Sequence, residues 1–298
     1  MNKYPLSQKI IDAFLSGNHQ ATTRLAHKFM VANNYSSIKN CDIDKFLGGW
    51  TPSYLHAPGE GWGMSTMDAI RCLYDFERTA TFIKGIYKAT LEIRRRYSHQ
   101  EIVAIDAGCG TGIIAVSLAF SGADKVIGID INPDTVDQAE RFIYSIGLSD
   151  KVKIQLADAT TFNPEKQIHI IHSENLYTGL IYEPQIQILN NLKQYLHGNG
   201  LILPESIVLR MSPIYINWDK VSERRTYIEQ INIQPDSITY QGPTTTLPLF
   251  DFNKKTLLDD TVNAILQMEK HAVNGILVEM DVNVFDSVYL KSGQAKFL

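Results

Sequence analysis

The residues best suited to chemistry fall between Asp106 and Glu183. Asp106-Ala107-Gly108-Cys109-Gly110-Thr111-Gly112 follows an apolar run and leads into a helical pattern. Glycines remove side chains where a backbone must turn tightly and lie against a ligand, and the helix start beyond them offers free N–H groups. Dinucleotide sites use the same physics, but two details point elsewhere. Asp106 precedes the first glycine, where its charge would repel a pyrophosphate yet receive a cationic amino group directly or through water. The third glycine follows the second by two residues, not by the three of the dinucleotide fingerprint. Two more acids close later apolar runs. Asp130, followed by Ile131, stands where ribose hydroxyls are held, and Asp158, followed by Ala159, is placed to accept from an adenine amino group. Glu174 and Glu183 then form a carboxylate pair, and two acids on one cleft suit a planar cation, because guanidinium presents its N–H groups in a fork.

Those residues need a scaffold. From Ile102 to Leu203, short apolar runs (102–105, 126–129, 152–156, 168–171, 201–203) alternate with helical segments (113–120, 135–146, 186–195). The alternation predicts a parallel sheet with helices on both faces and each acid at a strand's carboxyl end. Upstream, the spacing of Ile10, Ile11, Phe14, Leu25, Phe29 and Met30 around Gly17-Asn18 predicts a helical hairpin. Residues 47–63 read as a glycine-rich loop carrying Trp50, Tyr54, His56 and Trp62, and the apolar stripe over 65–96 predicts one long helix or two in succession. Beyond Pro204, runs at 206–212, 214–216, 231–233, 237–240, 247–252 and 276–284 read as strands. The expected division is 1–64 as hairpin and aromatic lid, 65–204 as the nucleotide-type domain, and 205–298 as a β-rich substrate or dimerisation lobe.

The D-x-G-x-G-x-G turn with acids at successive strand ends resembles the class I S-adenosylmethionine-dependent methyltransferases over about residues 100–204. The resemblance narrows at Ser173-Glu174 to Glu183, which reproduces the S-E-(x)8-E double-Glu hairpin of the protein arginine methyltransferases, with Leu180 and Tyr182 matching its L-x-Y-E ending. Asp75-Phe-Glu-Arg78-Thr79 resembles that family's D-x-x-R-T helix, and Gly200 to Pro204 the strand leading to its barrel. The fold implied is α/β, a Rossmann-like methyltransferase domain with N-terminal helices and a barrel-like C-terminal lobe. Carried over residue by residue, Arg78 would grip the cofactor's carboxylate. Asp106 and the turn Gly108, Cys109, Gly110, Thr111 and Gly112 would take the amino-acid and ribose portion of S-adenosyl-L-methionine. Asp130 would hold the ribose hydroxyls and Asp158 the adenine, with Ile131 and Ala159 beside them. Glu174 and Glu183 would be the catalytic pair that holds an acceptor nitrogen. Arginine is a poor nucleophile because its pKa exceeds about 12, so a carboxylate pair must draw charge from one nitrogen. Two departures stand out: Asn175-Leu176 replaces the family's usual Trp-Met, and no Thr-His-Trp triplet follows the run at 276–284 before Leu298.

Composition fits an enzyme of this kind and argues against other classes. The 298 residues carry 28 Lys and Arg against 32 Asp and Glu, a net charge of -4 without a basic block, so no nucleic-acid footprint is expected. Arg94-Arg95-Arg96 reads as a solvated helix terminus. Cys41, Cys72 and Cys109 have neither metal-ligand nor disulfide spacing, so no metal and a reducing, cytoplasmic setting are expected. No apolar run approaches a membrane span. His169 and His172 alternate in a buried-looking strand and read as core, with His172 placed to orient Glu174; Cys109 reads as a small residue chosen for fit. The stretch 218–230 is a candidate dimerisation arm. The leading expectation is an N-methyltransferase acting on a guanidino group, in a peptide or a small molecule, as a possible homodimer. A small-molecule N-, O- or C-methyltransferase and a non-catalytic cofactor-binding subunit are the alternatives.

Overall fold

The computed structural model describes residues 6–35, 54–56, 62–180, 183–220, 237–254, 265–268 and 272–294. Trp50, Cys41, Tyr182, the strand expected at 231–233 and all but residues 218–220 of the arm expected at 218–230 lie outside them.

The chain opens with the expected hairpin, α1 (Gln8–Leu15) and α2 (His19–Ala32). Gly17 turns at φ 76°, and the Asn18 side chain caps α2 by accepting from Ala21 N at 3.1 Å. Where residues 47–63 read as a loop, the structure has a small antiparallel pair, β1 (Tyr54–His56) and β2 (Trp62–Met64). The stripe over 65–96 resolves into two helices, α3 (Thr66–Tyr74) and α4 (Phe76–Arg96), because Asp75 leaves helical geometry at ψ 80° and its carboxylate caps α4 at Arg78 N, 3.4 Å away. The run of arginines ends α4 as expected: Arg95 and Arg96 pair with Glu92, while Arg94 reaches Asp124 at 2.6 Å.

Strands and helices then alternate: β3 (Val103–Ala107), α5 (Ile113–Ser121), β4 (Lys125–Asp130), α6 (Pro133–Ser145), β5 (Val152–Leu156), β6 (Ile168–Ser173), α7 (Gln185–Leu192) and β7 (Leu196–Leu203). The strands pair in parallel in the order β5-β4-β3-β6-β7. The chain steps outward from β3 to β5 and then returns to β3's other side, so the order reverses at β3, and a crevice opens at its carboxyl end where the glycine turn departs. The strand expected at 201–203 begins earlier, at Leu196, since Gly198 and Gly200 continue it in spite of their low strand propensity.

After the cis Leu203–Pro204 bond the architecture changes to antiparallel: β8 (Ser206–Ile216), β9 (Ile238–Tyr240), β10 (Thr245–Thr246), β11 (Phe250–Asp251), β12 (Gly275–Phe285) and β13 (Val288–Leu290). β8 is the hub, pairing β9, β10, β11 and β12, and β12 turns back into β13. β8 runs unbroken through Pro213, which opposes Ile276 of β12, and β13 was not expected from the sequence. α4 lies against β12 at Gly85, where a Cβ would overlap the Val284 side chain. One buried apolar cluster, with Phe14, Phe29, Phe82, Phe142, Ile86, Phe252 and Val282, runs through helices and both sheets.

Candidate cofactor and acceptor site

The carboxyl ends of β3, β4, β5 and β6 surround one pocket, and the loop before α7 closes its side. Its wall includes Gly108, Gly110, Asp130, Ile131, Asp158, Ala159, Glu174, Asn175 and Glu183, with Gly63, Met64 and Ala69 across from them. The structure thus brings most of the residues expected at the site to one place. Asp106, Cys109, Thr111, Gly112 and Arg78 are not part of that wall. The free volume between these walls is about 60 Å³, well below the ~300–1,000 Å³ of ligand clefts.

Gly108, Gly110 and Gly112 all adopt the left-handed conformation, with φ of 74°, 50° and 77°. A Cβ on Gly108 would also sit 2.6 Å from Asn175 Oδ1, so this position requires glycine twice over. Asp130 holds the turn from outside: Oδ2 accepts from Gly110 N and Oδ1 from Asn132 N, each at 2.9 Å. Desolvation by the surrounding chain pushes the Asp130 carboxyl up to about 6, against the pull of those N–H groups. Asp158 Oδ1 accepts from Thr160 N and Oγ1 at 2.8 and 2.6 Å. These bonds engage each acid only in part, since every carboxylate oxygen offers two lone pairs. A side-chain-free turn flanked by two such acids suits a nucleoside whose hydroxyl and amino groups donate.

Asp106 is fully buried and bonds His172 Nδ1 at 2.8 Å, while Asp106 Oδ2 and His172 Nε2 find no hydrogen-bond partner among the described residues. His172 meets Phe82 edge to face at 5.8 Å between centroids, and Arg78 lies over the same ring at 5.7 Å. Cys109 is buried in the turn, and burial pushes its thiol well up, as fits a packing residue.

The two glutamates face different partners. Glu174 forms an ion pair with Arg78, both side chains 12% exposed, and Arg78 Nε is buried without a hydrogen-bond partner among the described residues. A buried donor of this kind suits a further acceptor, as a carboxylate would be. No hydrogen bond reaches the Glu183 carboxyl from the described residues. Desolvation raises it to about 7, with Arg78 acting the other way.

Sequence reasoning missed Asn175 and Gln185. Asn175 Nδ2 donates to Ala107 O and Ser173 Oγ, both at 2.9 Å, and Gln185 spans the ends of the hairpin. The departure at Asn175 from the family's Trp was the one available signal; Gln185 had none.

Residues 104–200 match a family described as "Methyltransferase domain". An uncharacterised protein of Methanocaldococcus jannaschii is 28% identical over 211 residues, 68% of this chain and 71% of that one. A probable protein arginine N-methyltransferase 6 of Arabidopsis thaliana is 34% identical over 141 residues, 47% of this chain but 31% of the relative's length. Among solved structures, the Trypanosoma brucei PRMT1 enzyme-prozyme heterotetrameric complex with AdoHcy superposes with a TM-score of 0.56 at 18% identity, covering 74% of this chain and 75% of that one. Protein arginine methyltransferase 10 of Arabidopsis thaliana gives 0.57 at 15%, covering 74% and 79%.

Proposed function

We propose, for a chain that is a class I S-adenosylmethionine-dependent methyltransferase resembling the protein arginine methyltransferases, that the acceptor is a guanidino group, on arginine in a peptide or on a small arginine-like molecule. The observation that carries this reading is that Glu174 and Glu183 share one pocket wall with the glycine turn and Asp130. A methyl donor held by the turn would then face an acid pair.

Each residue has a part on this reading. Gly108 and Gly110 let the backbone lie against the cofactor, Asp130 and Asp158 accept from its ribose and adenine, and Arg78 binds its carboxylate through Nε, which has no partner among the described residues. When bound, S-adenosylmethionine supplies an electrophilic methyl group. Glu174 and Glu183 fix the acceptor's guanidinium and draw its positive charge away from the nitrogen that attacks, so that its lone pair is available. The proton which that nitrogen loses on methylation passes to one of the pair and on to solvent. The remainder of the work is alignment, because a displacement at the methyl carbon needs a line of approach more than a strong base. The water-poor wall that lifts the Glu183 carboxyl also strengthens its attraction for a cation once ionised.

The test is a screen with isotope-labelled S-adenosylmethionine over arginine peptides, free guanidino compounds and amines, read by mass spectrometry. Label on a guanidino nitrogen is expected. Label only on amine, oxygen or carbon acceptors would overturn the assignment.

A further inference from the structure

We propose that Gln185 is a positioning residue for methyl transfer: its buried amide closes the hairpin that carries Glu174 and Glu183 and thereby sets where the two carboxylates stand. The inference rests on the reading of those acids as acceptor ligands.

Gln185 is the first residue of α7 and is fully buried. Its Oε1 accepts from Ser173 Oγ at 2.9 Å and from Asn175 N at 3.0 Å, and its Nε2 donates to Ser173 O at 2.8 Å. Ser173 and Asn175 flank Glu174 on both sides, while Gln185 itself lies two residues past Glu183. One side chain therefore clamps both acid-bearing ends of the loop. Among the described residues, no other side chain bonds to both ends of the loop. The intervening turn at 178–180 has Gly179 at φ 80° and Leu180 at φ 57°, and Pro184 offers no side-chain cap to α7.

The environment argues that the amide is there for this clamp. The buried face of α7 is otherwise apolar, with Ile188, Leu189 and Leu192. A buried amide is costly unless its groups are bonded, and here both lone pairs of Oε1 are used. The clamp continues into the cofactor side: Asn175, held by Gln185 through its backbone, donates to Ala107 O at the root of the glycine turn. Gln185 thus links the acceptor acids to the element that receives the methyl donor, while touching neither substrate.

The test compares wild type with Gln185→Met, which keeps the volume and removes every hydrogen bond, and with Ser173→Ala, which removes only the Ser173 hydroxyl. Cofactor binding and thermal unfolding report whether each variant is folded. In Gln185→Met we expect kcat to fall by about 100-fold, the scale of a 1 Å misplacement, with cofactor Kd within about threefold; Ser173→Ala should lose several-fold in kcat. A second readout needs no turnover: the Glu183 carboxyl, titrated by carbon-13 NMR and assigned with Glu183→Gln, should move toward the ordinary carboxylate range when the hairpin loosens. An unchanged Glu183 titration in folded Gln185→Met, or in Ser173→Ala if the former does not fold, overturns the proposal. Failure of the acceptor reading shows separately, as wild type that labels no guanidino compound, and leaves the titration decisive.

Discussion

Glu174 and Glu183 have the same side chain and opposite surroundings, which gives each a distinct signature. Glu174 is already matched by the Arg78 guanidinium, whereas Glu183 is desolvated and titrates near 7. Glu174→Gln keeps the shape and removes the charge, so methyl transfer should fall by about 10²–10³-fold, well beyond any change in cofactor affinity that follows from the freed Arg78; single-turnover kinetics with calorimetry checks both. Binding a guanidinium favours the ionised form of Glu183 and so lowers its pKa. Below about pH 7, acceptor binding should therefore release a proton, and acceptor affinity should rise as pH climbs to 7 and then level. Calorimetry in two buffers of different ionisation enthalpy measures that proton directly; zero release at pH 6 would contradict it. At this scale the sequence was legible where a motif is local and strict. The glycine turn needs three left-handed residues in a row of alternating positions, and few side chains allow that. The Arg78–Glu174 pair and the Asp106–His172 pair were not legible, because each joins residues far apart in the chain.

Elements were read well where periodicity is strong. α5, α6 and β3 to β6 begin and end within a few residues of expectation because buried runs and helical stripes alternate clearly. The break between α3 and α4 was ambiguous, since both helices share one apolar stripe and only the Asp75 carboxylate, acting on a backbone N–H, separates them. β13, three residues long, carries too short a pattern to see. The contact between α4 and β12 supplies a sharp test of how these elements are held. Gly85→Ala places a methyl group into Val284, and overpacking of this kind costs about 1–3 kcal/mol. Chemical denaturation should show that loss, and Val284→Ala in the same chain should recover part of it; simple additivity of the two losses would mean the residues do not press on one another.

Across the whole molecule, stability should carry the mark of a histidine far from the pocket. His169 accepts from Val103 N at 3.2 Å and stacks on His197 at 5.0 Å, and burial, with His197 and Arg94 nearby, lowers its pKa below 6.5. In the unfolded chain it binds a proton more readily, so its contribution is intact above about pH 6.5 and is lost as pH falls further. Wild type should lose stability relative to His169→Gln between about pH 7 and 5; parallel denaturation midpoints for the two proteins would refute this. A last consequence lies in the roof of the pocket. Asn132 Nδ2 donates to Met64 O at 3.0 Å and Thr66 Oγ1 meets Thr135 Oγ1 at 2.9 Å, so β2 and α3 are tied to the start of α6 beside the pocket. Ties of this kind gate product release in many enzymes, and departure of the spent nucleoside is expected to wait on their parting and to set the pace of each cycle. Rapid-mixing experiments should then record a first turnover faster than all that follow, and loosening Thr135 to valine should quicken the steady state while the initial burst keeps its rate.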